Sequence, residues 1–287
     1  VLLPGYEPLI NMADIIKVDF RITESPKERK KMREILPKHV RLLAEKIETE
    51  EEFQQACDFG YVLFQGYFFC KPAILHQKKL TSNTLSRMRL LKEVNRQNFD
   101  FSAITGAISS DTTLVHKLLT YINSVGIGLT NHVSNLRQAT VLLGAGGVRR
   151  WVTLISLQTF SEDKPSEVFT LSLIRAKFCE LIAEDLKSPK LTPDTGFLLG
   201  MFSLLDVLLS LPMDEVLKEV ALADDLNDAL LGDDNDLRRV LNLVIAYEQC
   251  DWDKVASCCA HEKIAPDKLK ANYDTVLEWY NMLQSVS

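Results

Sequence analysis

Histidine, cysteine and aspartate supply most metal sites and many catalytic groups, so their spacing bounds the chemistry open to this chain. The five histidines are His39, His76, His116, His132 and His261, and none is followed by aspartate. An adjacent His-Asp pair, which sets imidazole and carboxylate on one metal, is therefore missing. The six cysteines, Cys57, Cys70, Cys179, Cys250, Cys258 and Cys259, form no CxxC pair. That excludes the usual zinc and dithiol spacings and leaves those among apolar residues as small buried hydrophobes. The neighbours Cys258 and Cys259 would need a lowered thiol pKa to be redox-active. Asp224, Asp225, Asp228, Asp233, Asp234 and Asp236 lack EF-hand spacing and read as a solvated face. G-A-G-G at 144–147 has no preceding strand and lacks the spacing of a dinucleotide loop, so a turn between helices explains it. No G-x-S-x-G elbow or P-loop lysine motif is present.

The elements that would position any site come in two textures. Residues 1–80 alternate strand and helix in the manner of an α/β unit. Strands are predicted at 14–20, 40–47 and 61–65. Helices are predicted at 26–35 and at 50–59, the second with Thr49 as its cap. Residues 76–86 are polar and turn-rich and read as a short linker. From Leu85 onward the helical period dominates. It predicts helices at 85–96, 101–108, 114–124, 135–142, 148–158, 167–186, 195–211, 213–221, 224–230, 236–248, 252–260 and 267–284.

Composition bounds the class further. The chain has 287 residues, 46% hydrophobic and 25% charged, which allows two domains with a substantial core. A net charge of −6 and a pI near 5.5 argue against nucleic-acid binding through a broad basic surface. The longest apolar stretch, 197–211, is interrupted by Gly200, Ser203, Asp206 and Ser210 and reads as a core helix. With no signal peptide and unpaired cysteines, the expectation is a cytoplasmic protein without a membrane partner.

Residues 109–157 carry the first resemblance. Asp111 is placed to cap a helix, and Leu114, Leu118, Leu119 and Ile122 recur on one face. Asn123-Ser124, Leu136-Arg137-Gln138-Ala139 and Leu143-Gly144 then follow in order. This succession resembles the HDOD domain, a bacterial output module related to the HD hydrolases. The resemblance implies an all-α domain over 81–287 that presents a groove or apolar face to signalling proteins. Where catalytic relatives would carry G-L-L-H-D-I-G, the chain reads F-L-L-G-M-F-S-L-L-D-V-L-L, with Leu205-Asp206 in place of His-Asp. Asp206 is then expected to be a hydrogen-bonded core or interface residue, and His116 a surface or packing residue.

The second resemblance lies in I-I-K-V-D-F, L-L-A-E-K-I-E-T and F-Q-G-Y-F-F-C-K-P. These resemble the C-terminal part of the EAL domain, the barrel that hydrolyses cyclic di-GMP. Carried over by position, the resemblance implies a residual cyclic-di-GMP pocket of Lys17, Glu45, Glu48 and Gln65. In active members carboxylates hold divalent metal at strand ends and the lysine positions or activates water. The E-A-L signature, the strand-end asparagine and glutamate, and the paired aspartates are absent from this chain, and Lys46 stands at a glycine position. No catalytic residue and no cofactor is therefore expected, and Mg²⁺ or Mn²⁺ only if the pocket works. Three strands close no eight-stranded barrel. Together with a start that is not methionine, this predicts an N-terminal half outside the chain.

The fold expectation is mainly α: an N-terminal α/β partial TIM barrel over 1–80, then an all-α HDOD domain. The functional expectation is a catalytically degenerate EAL–HDOD protein. It would act through protein–protein interaction in bacterial cyclic-di-GMP-linked control of motility, biofilm or virulence. The alternative is a cyclic-di-GMP-binding sensor or phosphodiesterase in its complete form.

Overall fold

The computed structural model describes residues 5–23, 25–66, 81–96, 100–124, 132–162, 164–188 and 191–286. They belong to two units, Val1–Lys71 and Pro72–Ser287. The end of the F-Q-G-Y motif, with Cys70 and Pro72, lies outside the described residues. So do His76, most of the linker and the loop at 125–131.

In the first unit three short runs of β-forming residues make one parallel sheet in the order β1-β2-β3. The strands are β1 (Ile15–Asp19), β2 (Arg41–Glu45) and β3 (Leu63–Gln65). Parallel pairing needs crossovers, and α2 (Pro26–Ile35) and α3 (Glu50–Asp58) supply them, with α1 (Glu7–Met12) ahead of the sheet. Pro26 suits a first helical position because its missing N–H would have had no partner there. The Thr49 hydroxyl accepts from the Glu52 N–H and caps α3. The short helix α1 was not expected from the sequence.

The register pairs Ile15 with Arg41, Lys17 with Leu43, and Asp19 with Glu45; Leu43 and Glu45 pair onward with Leu63 and Gln65. Side chains alternate across a strand, so Ile16, Val18, Leu42, Ala44 and Phe64 share one face. They join Phe20, Leu36, Ile47, Ala56 and Tyr61 in the core of this unit. A guanidinium closes that core: Arg29 is buried, yet it donates to the carbonyls of Phe20 and Thr23 and to Gln55. Those three bonds offset its desolvation. Lys17, Asp19, Leu43, Glu45, Leu63 and Gln65 fall on the other face.

The second unit is helical throughout its described residues. It runs α4 (Ser82–Asn95), α5 (Phe101–Ser109), α6 (Thr112–Ser124), α7 (Leu136–Phe160), α8 (Ser166–Leu186) and α9 (Pro193–Phe202). Then come α10 (Leu205–Leu209), α11 (Met213–Val220), α12 (Asp224–Leu231), α13 (Asp236–Glu248), α14 (Trp252–Glu262) and α15 (Pro266–Val286). Side-chain caps open many of them: Thr81, Asp100, Asp111, Asn135, Thr192, Asn235 and Asp251 each accept a first-turn N–H. Leu114, Leu118 and Ile122 of α6 are buried, as the period of that stretch requires.

Two expectations needed correction. The residues at 144–147 do not separate two helices: α7 runs through them, and only Gly144 leaves helical geometry, at φ 65°. Glycine has no Cβ to oppose that value, so the helix kinks there and continues. The single helix expected at 195–211 breaks between α9 and α10. Ser203 sits at the break, where its hydroxyl donates to the Gly200 carbonyl at 2.7 Å and accepts from Arg175 at 3.2 Å.

The close packing of α8 on α9 depends on glycine. A Cβ at Gly200 would run into the backbone of Arg175 and Ala176, and one at Gly196 would meet the carbonyl of Cys179. No helix among the described residues is long and apolar enough to cross a membrane.

Candidate functional site

Ligands of parallel α/β sheets gather beyond the carboxyl ends of the strands. The last register row of this sheet is Asp19, Glu45 and Gln65. Lys17 lies two residues before Asp19, hence on the same face, and its long side chain reaches across β2. Its ammonium donates to Gln65 Oε1 at 3.2 Å and stands 3.6 Å from Glu45 Oε1. More than half of the Lys17 side chain is open to solvent. Three of the four residues singled out from the sequence thus converge. Gly66 fixes the end of the row, because a Cβ there would collide with the backbone of Ile47.

Glu48 goes elsewhere. After Glu45 the chain turns through Lys46, whose φ of 62° is left-handed, and Ile47 drops fully into the core. Glu48 emerges beyond the strand and pairs with Arg21.

Asp19 is the site residue that sequence reasoning passed over. Its Oδ1 accepts the N–H groups of Arg21 and Ile22 at 2.8 and 3.3 Å. Its Oδ2 accepts from the Lys46 ammonium at 2.6 Å. Desolvation pushes the Asp19 carboxyl up, but Lys46 and the two N–H groups outweigh it, and the net shift is downward. The hydrogen bond to Asp19 in turn raises the Lys46 ammonium. The two-residue spacing from Lys17 was the available signal, since it puts both side chains on one face.

The strand-end resemblance implies a divalent cation, and the residues present do not fit one. Each nearby carboxylate already has a resident cation: Asp19 has Lys46, Glu45 has Lys17, and Glu48 has Arg21. A hard divalent ion needs several carboxylate oxygens left for it. Among the described residues no group of three or more His, Cys, Asp or Glu is arranged to hold a metal.

The ionisable groups of the helical unit are arranged differently. Arg175 reaches Glu248 with bonds of 2.9–3.0 Å, and both side chains are nearly buried. Burial pushes the Glu248 carboxyl up, and Arg175 pulls against it. Asp206, in α10, is also raised by burial, with its own N–H, that of Val207 and Arg175 opposing. His116 lies exposed on α6.

Residues 81–223 match the HDOD domain family. The chain is 35% identical over 282 residues to the uncharacterized protein YuxH of Bacillus subtilis, covering 96% of this chain and 68% of that protein. It is 34% identical over 261 residues to the cyclic di-GMP phosphodiesterase CdgJ of Vibrio cholerae, covering 90% of this chain and 60% of that protein. No solved structure matches the chain.

Proposed function

The chain belongs to the HDOD-domain family, and from that membership we propose that it works in cyclic-di-GMP-linked signalling. In this reading the α/β unit is EAL-like and recognises the dinucleotide without cleaving it. The helical unit then passes the state on to a partner signalling protein. The observation that carries the reading is the convergence of Lys17, Glu45 and Gln65 at the ends of three parallel strands. An exposed ammonium held beside an amide suits a phosphodiester oxygen, with the amide left to meet a base edge or sugar hydroxyl. The name of the Vibrio cholerae relative supports the choice of dinucleotide.

Titration calorimetry of the chain with cyclic di-GMP, in the presence and absence of Mg²⁺, tests this. Binding heat that Lys17→Ala abolishes supports recognition at the strand ends. Heat that survives the substitution overturns the site, and no heat leaves the helical unit as a protein-binding module alone.

A second reading, hydrolysis by a longer protein, draws on the phosphodiesterase name of a relative of which this chain spans 60%. Linear dinucleotide appearing in the calorimetric mixture would favour it. Its absence would favour recognition without turnover.

A further inference from the structure

We propose that Lys46 is the built-in cation of the strand-end carboxylates and keeps a divalent metal away from them. The inference concerns the same strand ends but does not require that the dinucleotide bind.

Asp19 and Glu45 are register partners on adjacent strands, so their carboxylates stand one strand spacing apart on one face. That separation lets one cation serve both. The Lys46 ammonium takes the place: it contacts Asp19 Oδ2 at 2.6 Å, while Glu45 also contributes to its raised basicity. Asp19 Oδ1 is already occupied by two backbone N–H groups. Lys17 supplies the second positive charge beside Glu45. The carboxylate end of the sheet is thereby neutralised from within the chain.

The backbone at Lys46 makes this arrangement unusual. A φ of 62° is one that glycine adopts freely and a lysine rarely does. A side chain is present at a position whose backbone favours having none, and that side chain ends on the strand-end aspartate. The turn which aims Lys46 at Asp19 also sends Glu48 away to Arg21. The charge and the geometry point to the same role.

The test uses Mn²⁺ alone, followed by the loss of its free EPR signal. The chain is compared with Lys46→Gly, which suits the left-handed backbone, and with Lys46→Asn, which also tolerates it. Circular dichroism checks that each variant is folded. Removing a charge about 4 Å from the carboxylates is expected to tighten Mn²⁺ binding about tenfold or more in both variants. Asp19→Asn added to Lys46→Gly should return the affinity to that of the parent chain. Equal Mn²⁺ affinity in parent and variants, whether measurable or nil, overturns the inference. So does a gain that survives Asp19→Asn. Because no dinucleotide is present, these outcomes stand apart from those of the calorimetric experiment.

Discussion

The two units use the same kinds of charged pair for opposite purposes. At the strand ends, Lys17–Glu45, Lys46–Asp19 and Arg21–Glu48 lie at the surface, where water screens them and a ligand can exchange partners with them. In the helical unit, Arg175 and Glu248 are shut between α8 and α13, with Ser203 taking a further N–H of the guanidinium. Such a pair does little for net stability beyond what apolar packing would give, yet losing one partner is costly. Burial, more than residue type, separates a site that can respond from a joint that holds.

The largest expected effect follows from that contrast. Arg175→Ala leaves Glu248 buried without its cation and should cost about 3–5 kcal/mol. Urea unfolding followed by tryptophan fluorescence reads this directly, because Trp151, Trp252 and Trp279 all lie in the helical unit. A loss of less than half that size would mean the pair is more solvated than its burial implies.

Gly200→Ala probes the same joint sterically. Its Cβ meets backbone and not a flexible side chain, so α8 and α9 must separate. The expected cost is about 1–3 kcal/mol.

Asp206 gives a pH-dependent version. Burial raises its carboxyl above the ordinary 3.8, so the folded state binds this proton more tightly than the unfolded state does. Stability from this group is therefore full below that value and is lost as pH rises through the folded pKa. Asp206→Asn should raise stability at neutral pH and leave it little changed in acid. Urea midpoints of both proteins across pH decide the matter, and a variant less stable at neutral pH would contradict the sign.

The smallest effect belongs to the surface pair. Arg21→Ala should change stability by less than about 1 kcal/mol. Hydrogen exchange of peptides from β1 and β3 would register it. Strong deprotection there would make Arg21–Glu48 a structural joint after all and blur the comparison.

Legibility in the sequence followed the same divide. Caps were readable because a short polar side chain ahead of an apolar period has one good use: Thr49 and Asp111 are where the pattern puts them. The break at Ser203 was hidden, since residues 197–211 are apolar on every side and carry no proline. Only the hydrogen bonds of Ser203 reveal it. The kink of α7 was mistaken for a turn because four residues, three of them glycine, suggested more disruption than Gly144 alone produces.

At the strand ends, Lys17, Glu45 and Gln65 were found by motif. Asp19 and Lys46 were missed, because their pairing depends on a left-handed turn at a residue type that does not announce one. The same turn misled the placement of Glu48, three residues after Glu45 in sequence and directed to Arg21 in space. Helical periods survive such local surprises; a site assembled at chain turns does not.

The most direct test of the strand-end account is the affinity for cyclic di-GMP of the chain, of Lys17→Ala and of Lys17→Arg, each with Mg²⁺ and with EDTA. The account predicts binding by the parent that is indifferent to EDTA, lost in the alanine variant and partly kept in the arginine variant. Binding that requires Mg²⁺, or that ignores Lys17, would contradict it.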